Sequence, residues 1–523
     1  MINPLSKKGG VMKFSKLSKV SLLLAGMFFL DKVLAFVRQI LIARQFGLSP
    51  ELDAFNVANN IPDLLFALIS GGALAIAFIP VLTQVLTRDG QAPAWKLFSR
   101  IANLAFIVTA GLALIVAIFA GSMVRAEIGI APGFTTLQQD LVIKLMRMNL
   151  IATLIFSISG LVMAGLQANQ HFLLPALAPI FYNVGQIIGV TILSPEKGYT
   201  LGPITLPAFG LGVQGLVYGV IIGAVLHLAI QIPGLVKYNF KWIPSLDLKN
   251  EDVRKVIRLM GPRLVTMFMI QLIFIVRDNL ASRLAAGAVT SLTYGWMIQQ
   301  VPETLIGTAI GTALLPTLSE HFSTDQKAAF SETIQKALKV LMALTLPIAA
   351  TLAIGLKPLL GLAFDFGVDG TRLLSWVTAG FLLGLLGHSL KEVGARSFYA
   401  RQNAIIPLIT AGINLALYAL IGSLLYKPLG AAGIALTDSL VFTLEAVLLL
   451  VLLNRKMMPA IKLDSTWVRA LLAAVTAGLV TWGSLAFLST RVHPLIAETV
   501  PMILGVTASL PWIRRELRLL LKL

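Results

Sequence analysis

Apolar segments too long for the interior of a soluble domain recur along the whole chain. Crossing a bilayer takes about 20 apolar residues in a helix, whereas a barrel strand alternates in polarity over about ten. The runs here are of the longer kind, so an all-α polytopic membrane protein with about 14 transmembrane helices is predicted. We place the spans near 20–45, 54–86, 98–123, 139–166, 172–194, 211–236, 255–283, 288–318, 332–364, 371–398, 404–426, 429–453, 467–489 and 494–513.

Composition supports this class and excludes others. Hydrophobic residues make up 57% of the chain and charged residues 13%, against about 25% charged in a soluble domain. A net charge of +18 would suggest nucleic acid in a soluble protein, but in a membrane protein it reflects basic cytoplasmic loops, so no nucleic-acid partner is expected. With no cysteine, scattered histidines and no Walker A motif, we expect neither an enzyme nor a cofactor or metal.

The basic residues crowd one set of span ends, which predicts the orientation. They are dense in the first 19 residues, between spans six and seven and after the last span, and sparse at the opposite ends. An even number of spans with this bias puts both termini in the cytoplasm. We interpret residues 1–19 as a basic cytoplasmic tail before an uncleaved first span.

Matched stretches predict an internal repeat. RQILIAR (38–44) matches RDNLASR (277–283), LQANQHFLLP (166–175) matches FYARQNAIIP (398–407), and LGVQG (211–215) matches LGAAG (429–433), in the same order. Two parallel six-helix lobes follow, related by an axis along the membrane normal. We assign lobes to 20–238 and 255–456, a cytoplasmic linker to 239–254, and a final helix pair with a basic tail to 457–523. Such lobes favour an alternating-access transporter over a static channel or scaffold.

Charged residues are costly at membrane depth, yet the first span carries several. Each costs about 2.5–3.5 kcal/mol at the bilayer centre on insertion scales, so each must face protein or water. Asp31 and Arg38, seven residues apart, share a helix face, with Lys32 about 100° away. Asp53 opens the second span and Asn59 lies within it, and both are further candidates for substrate binding.

The seventh span echoes the first. Arg263 and Arg277 are fourteen residues apart and share a face, and Asp278 adjoins Arg277. One interpretation is that these charges only pair with each other and hold helices together. We favour a ligand-binding role for Arg263 and Arg277, together with Lys32 and Arg38, because the neighbouring acids neutralise only part of their charge. A cavity with surplus Arg and Lys suits a phosphate-bearing substrate.

Acids are the candidates for ion coupling or ion pairing. They are Asp31, Asp278, and the pair Asp438 and Glu445 at a spacing of seven in the twelfth span. The coupling ion, whether Na⁺, H⁺ or Cl⁻, is left open by the sequence.

Other polar groups within the spans favour simple helix–helix bonding. We expect Lys391 and Glu392 to pair with each other, and Asn183 and Asn414 each to bond a neighbouring helix.

Four stretches resemble the MviN/MurJ-type lipid II flippases of the multidrug/oligosaccharidyl-lipid/polysaccharide flippase superfamily. The most specific is KVLAFVRQILIARQFGLSPELDAFNVANNIPDLLFALISGGALAIAFIPVLTQ (32–84). The others are Met260-Gly261-Pro262, the G-x-x-LLP-x-LS stretch at 311–319 and the FY-x-RQ-x-x-x-x-P element at 398–407.

The resemblance implies a fold of two six-helix lobes plus a final pair. It also implies a substrate, the undecaprenyl-diphosphate-linked peptidoglycan precursor, moved between leaflets of the bacterial inner membrane. The family's first-span cations carry over to Lys32 and Arg38, and its second-span acid to Asp53. The family's basic pair in span two is replaced by Phe66-Ala67, and its Arg and Glu in span eight by Met297 and Gln300.

These departures keep alternatives open. They are export of another polyprenyl-linked glycan, a multidrug or cation antiporter of the related MATE type, and a scaffold without transport. Membrane lipids and the cell-wall synthesis machinery are the expected partners beside the substrate.

The orientation gives a direct prediction. Alkaline phosphatase fused after the last residue should be inactive, and a green fluorescent protein fused there should fluoresce, because both termini face the cytoplasm. The same two fusions between spans one and two should give the opposite pattern. An active C-terminal phosphatase would refute the predicted orientation.

Overall fold

The computed structural model describes residues 16–70, 72–455, 464–489, 491 and 493–520; the predicted basic tail up to residue 15 lies outside this range. The described chain is almost entirely helical. The helices of its first part are α1 Lys16–Phe46, α2 Pro50–Leu65, α3 Gly72–Asp89, α4 Gln91–Arg125, α5 Thr136–Ala168, α6 Leu173–Ile188, α7 Val213–Ala229 and α8 Ile232–Lys237. Those of the second part are α9 Glu251–Ala281, α10 Ala288–Glu303, α11 Ala309–Ser323, α12 Lys327–Phe364, α13 Gly367–Leu382, α14 Leu385–Ala400 and α15 Ile405–Asn454. A final pair follows, α16 Thr466–Leu488 and α17 Pro494–Leu520, and the short strands β1 Thr200–Leu201 and β2 Ile204–Thr205 form a hairpin before α7.

The predicted membrane class is confirmed. Within the described residues, eleven helices are long and apolar enough to cross a membrane. One of them, α15, contains two of the predicted spans, because its backbone breaks at Gly430. The two remaining predicted spans correspond to the charged α1 and to α2 with α3, which together complete the all-α polytopic fold.

Spans two and eight are interrupted in the same way. One turn of π-helix, Phe66–Ser70, separates α2 from α3, and another, Thr304–Thr308, separates α10 from α11. Each follows shortly after a proline, Pro62 or Pro302, whose ring removes a backbone donor from the helix ladder. Such turns are frequent at functional sites. A break in the same place in both copies agrees with the repeat seen in the sequence.

Helix packing separates an N-terminal half, α1–α8, from a C-terminal half, α9–α15. In the first, α5 packs on α2, α4 and α7, while α6 packs on α1 and α7. In the second, α15 packs on α9, α13 and α14. The final pair packs on itself and on α12. The halves therefore meet along α2, α3, α9 and α10, where the site lies.

The segment between the halves is bound to the first of them. Asn103 on α4 donates to the carbonyls of Ile243 and Ser245, at 2.8 and 3.0 Å. Arg100, one turn earlier on α4, pairs with Asp247 at 2.7 Å. The free length of connection before α9 is therefore only a few residues, which limits how far the halves can separate at this end.

Gly430 gives a test of the fold. It has φ 59° and ψ −145°, a combination reserved for glycine, and it turns the chain between the two legs of α15. Gly430→Ala should cost about 1–3 kcal/mol of stability. Gly412→Ala, in a helical part of α15 with open space around it, should be neutral or slightly stabilising. Thermal unfolding of both variants in detergent measures this, and equal midpoints would contradict it.

Candidate functional site

Asp53 joins the two halves through the N-terminus of α10. Its buried carboxylate accepts hydrogen bonds from the backbone N–H groups of Gly287 and Thr290, at 2.6 and 2.7 Å, and from the Thr290 hydroxyl at 2.6 Å. A carboxylate there complements the free N–H groups and positive dipole end of a helix. Gly287 has φ 88°, and a side chain on it would meet Leu48, so this approach needs glycine.

More contacts on the same face of α2 reinforce this bond. Asn56, nearly one turn after Asp53, donates to the Thr290 hydroxyl at 3.1 Å. One turn further, Asn60 donates to the carboxylate of Asp278 on α9 at 2.7 Å. We call Asp53, Asn56, Gly287 and Thr290 the latch, and the end of the bundle that holds it the latch end.

The loop before α5 adds further contacts between the halves at the latch end. Asn279 donates to the carbonyls of Glu127 and Gly129, at 3.0 and 2.6 Å. Arg283 pairs with the Glu127 carboxylate at 2.6 Å. The halves are thus closed at this end over several elements, and this is the end predicted to face the periplasm.

Contacts also join the halves at the opposite end, where the basic span ends lie. Arg88 at the end of α3 pairs with Asp252 on α9 at 3.3 Å, and Lys255 donates to Gln84 at 2.7 Å. Val253 and Val256 on α9 lie in a core with α3 and α4. We call this the basic end. The halves are therefore in contact at both ends.

Arg38 lies between the halves in a hydrogen-bonded chain. Its Nη1 donates to the side-chain oxygen of Asn183 on α6 at 2.9 Å, and the Asn183 amide donates to Asp31 at 2.8 Å. Asn183 therefore links the two charges that were expected to share a face of α1. Arg38 also interacts electrostatically with Tyr182 of the N-terminal half and Tyr294 of the C-terminal half. Arg38 therefore lies near residues of both halves.

The other predicted cations differ in how available they are. Lys32 is largely exposed, with its Nζ 3.8 Å from Asp31. Arg277 is buried, pairs with Asp278 at 2.8 Å, and lies over the Phe274 ring. Its charge is therefore neutralised by Asp278 in this conformation. This agrees with the alternative interpretation, in which the charges of the spans pair with each other. The side chain of Arg263, on α9, lies outside the described part of the chain.

The remaining candidates each have partners. Asn59 accepts a hydrogen bond from Asn149 on α5, within the N-terminal half. Asp438 pairs with His388 at 2.9 Å, both buried. Glu445 accepts from Asn414 at 2.6 Å. Two of the four candidate coupling acids, Asp278 and Asp438, both interact electrostatically with Arg277 and Tyr418.

The polar residues that were expected only to bond neighbouring helices or each other do so. Asn183 and Asn414 each bond another helical segment, as above. Lys391 lies 3.8 Å from Glu392, which also pairs with Arg396 at 3.2 Å.

Sequence reasoning missed the latch partners and one acid. Thr290 and Gly287 carry no motif, because their role comes from backbone donors at a helix start. Asp63, in the second predicted span, was not singled out. The spacing of Asn56, Asn60 and Asp63, all on one face of α2, was the signal that could have singled it out.

Comparison with known proteins identifies the family. The family model described as lipid II flippase MurJ matches residues 42–504. The chain belongs to this family. The lipid II flippase MurJ of Burkholderia cenocepacia is 29% identical over 496 residues, 92% of this chain and 93% of that protein. A probable lipid II flippase MurJ of Treponema pallidum is 26% identical, with 93% of each covered.

Solved structures agree on the fold. A lipid II flippase MurJ in an inward closed conformation superposes with a TM-score of 0.77 at 20% identity, covering 96% of this chain and all of that one. A MATE-family multidrug transporter in an inward-facing conformation gives 0.63 at 15% identity, covering 80% and 92%. Members of this family are transporters, so the chain is not an enzyme, and it is a multi-pass membrane protein of the bacterial inner membrane.

The latch gives a stability prediction. Asp53→Asn keeps the shape but removes the charge and one acceptor, so about 1–3 kcal/mol should be lost. Faster amide exchange should be confined to the first turn of α10, which hydrogen exchange measures in detergent. Asp369→Asn, at an exposed first turn of α13, should cost less than about 1 kcal/mol. Equal losses of unfolding free energy in both variants would show that the Asp53 hydrogen bonds do not stabilise the contact between the halves.

Proposed function

We propose that the chain moves lipid II, the undecaprenyl-diphosphate-linked peptidoglycan precursor, from the inner to the outer leaflet by alternating access. The observation that carries this is the family match over residues 42–504, which includes nearly every helix that contributes to the site. The proposal includes cytoplasmic termini and opening of the latch end toward the periplasm.

The lobe contacts fit this function physically. Transport by alternating access needs two closures that open in turn around a site between them. The latch provides one closure, and the contacts of α3 and α4 with α9 provide the other. Arg38 lies between the halves and would bind the diphosphate, with Lys32 as a second cation. Arg277 would contribute only after its pair with Asp278 separates, and Asp53 only after the latch opens.

Another polyprenyl-diphosphate glycan is the second candidate substrate. It is favoured by the neutral Phe66-Ala67 pair, since Phe66 is exposed at the start of the π-helical turn and offers an aromatic surface rather than a charge. The shared feature of both substrates is the diphosphate. Membrane lipids surround the protein in either case, and the cell-wall synthesis machinery would use the product.

Arg38→Ala should reduce lipid II exposure at the outer leaflet about tenfold or more, since a charge-assisted bond to the diphosphate is lost. The assay uses a bacterium whose own flippase can be switched off, with variants at matched membrane levels. Arg372→Ala, an exposed arginine on α13, should behave as wild type.

The outcomes separate two claims. Rescue by wild type and Arg372→Ala with failure of Arg38→Ala supports both the function and the role of Arg38. Rescue by all three keeps the function and refutes the role. Failure of correctly inserted wild type with lipid II, but transport of another polyprenyl-diphosphate glycan in vesicles, would favour the second candidate.

A further inference from the structure

Asp63 continues the polar face of α2 that holds the halves together. Asn56 and Asn60 on this face bond Thr290 and Asp278 of the C-terminal half. Asp63 follows Asn60 by three residues and Asn56 by seven, so it points the same way. Its carboxylate makes no hydrogen bond or ion pair with any residue that the structure describes, and its side chain is exposed. The polar face that bonds the C-terminal half at Asn56 and Asn60 therefore ends in a carboxylate without a protein partner among the described residues.

The carboxylate lies deep in the membrane but is accessible to water. Asp63 is thirteen residues after Pro50, or about 20 Å along the helix, near the bilayer centre. Its side chain is exposed although protein atoms surround it, as expected for a group lining an internal cavity. An ionisable group at this depth is costly unless it has a partner or a function.

Asp63 differs in this respect from the acids of the spans that are described above. Asp53 and Asp278 are bonded at the latch end, Asp31 by Asn183, Asp438 by His388 and Glu445 by Asn414. Each of these carboxylates has a structural partner that explains it. The free carboxylate of Asp63 lacks one, so its partner is expected to be a ligand.

An aromatic wall stands beside this carboxylate. The Phe66 ring is 5.1 Å from Phe156, which is 5.1 Å from Tyr182, each in an edge-to-face arrangement. Tyr182 interacts electrostatically with both Asp63 and Arg38, so the acid and the cation lie near the same tyrosine. Aromatic faces together with a carboxylate are the usual recognition site of an organic ammonium group.

We propose that Asp63 binds a primary ammonium group on the transported headgroup while Arg38, near the same tyrosine, binds its anionic part. This inference rests on the proposed function and narrows its substrate class to headgroups that carry both charges. A peptide side-chain amine would supply the ammonium group.

The test uses two probes that differ by one charge. Full-length protein is reconstituted in phosphatidylcholine vesicles, whose headgroups lack a primary amine. The substrates are lipid II with a free lysine amine on its peptide and the same lipid with that amine acetylated. Wild type, Asp63→Asn and Asp369→Asn are compared, the last being an equal loss of charge at an exposed helix start.

At low lipid concentration, wild type and Asp369→Asn should move the free-amine lipid about tenfold or more faster than the acetylated lipid. This ratio corresponds to one charge-assisted hydrogen bond. Asp63→Asn should move both lipids at the rate at which wild type moves the acetylated lipid. The effects of the substitution and of acetylation therefore should not add. Wild type that treats both lipids alike would overturn the proposal. So would Asp63→Asn that slows both by one factor, because the carboxylate would then act on something other than the amine, such as a coupling proton.

Binding of both lipids to the detergent-solubilised protein is measured in parallel. If wild type prefers the amine in binding but moves neither lipid, the proposed function fails and the role of Asp63 stands. Equal binding of both lipids to wild type would overturn the role of Asp63 even where transport is normal. Thermal unfolding of Asp63→Asn near the wild-type midpoint excludes misfolding as the cause of any loss.

Discussion

The bond between Asp53 and the first turn of α10 is the interaction on which the arrangement of the halves depends. A buried carboxylate needs partners, and the start of a helix needs acceptors, so each satisfies the other across the interface. The bond lies within an apolar core that α2 shares with α9 and α10, so opening the latch end also exposes apolar side chains such as Leu52 and Val289. The face of α2 that forms it then continues past Asn60 to the exposed carboxylate of Asp63, which has no partner among the described residues.

Charges within the membrane divide into those that hold the structure and those left for a ligand. Arg277 with Asp278 belongs to the first group, since both are buried and paired. Arg38 is intermediate, because Asn183 orients it while its position between Tyr182 and Tyr294 keeps it at the lobe junction. Such a division lets one chain place ionisable groups in a bilayer without losing stability.

The membrane class and the spans could be predicted from the sequence, because apolar length is a local property, and the family model supports the resemblance seen in residues 32–84. The partners of the charges could not. Arg277 has an adjacent acid in sequence, yet only the fold shows that the pair is buried. Asp53 was singled out as an acid, but its partners are backbone groups more than 230 residues away. One-dimensional spacing places residues on a helix face without saying which neighbour that face meets.

The central claim is that the latch must open for transport, and a reversible cross-link tests it most directly. The chain has no cysteine, so Asn56→Cys with Thr290→Cys introduces the only thiols, at side chains that are 3.1 Å apart in the latch. The account predicts that oxidation stops lipid II movement in vesicles and that a reductant restores it, while each single cysteine variant is unaffected by either reagent. Undiminished transport by fully cross-linked protein would contradict the account.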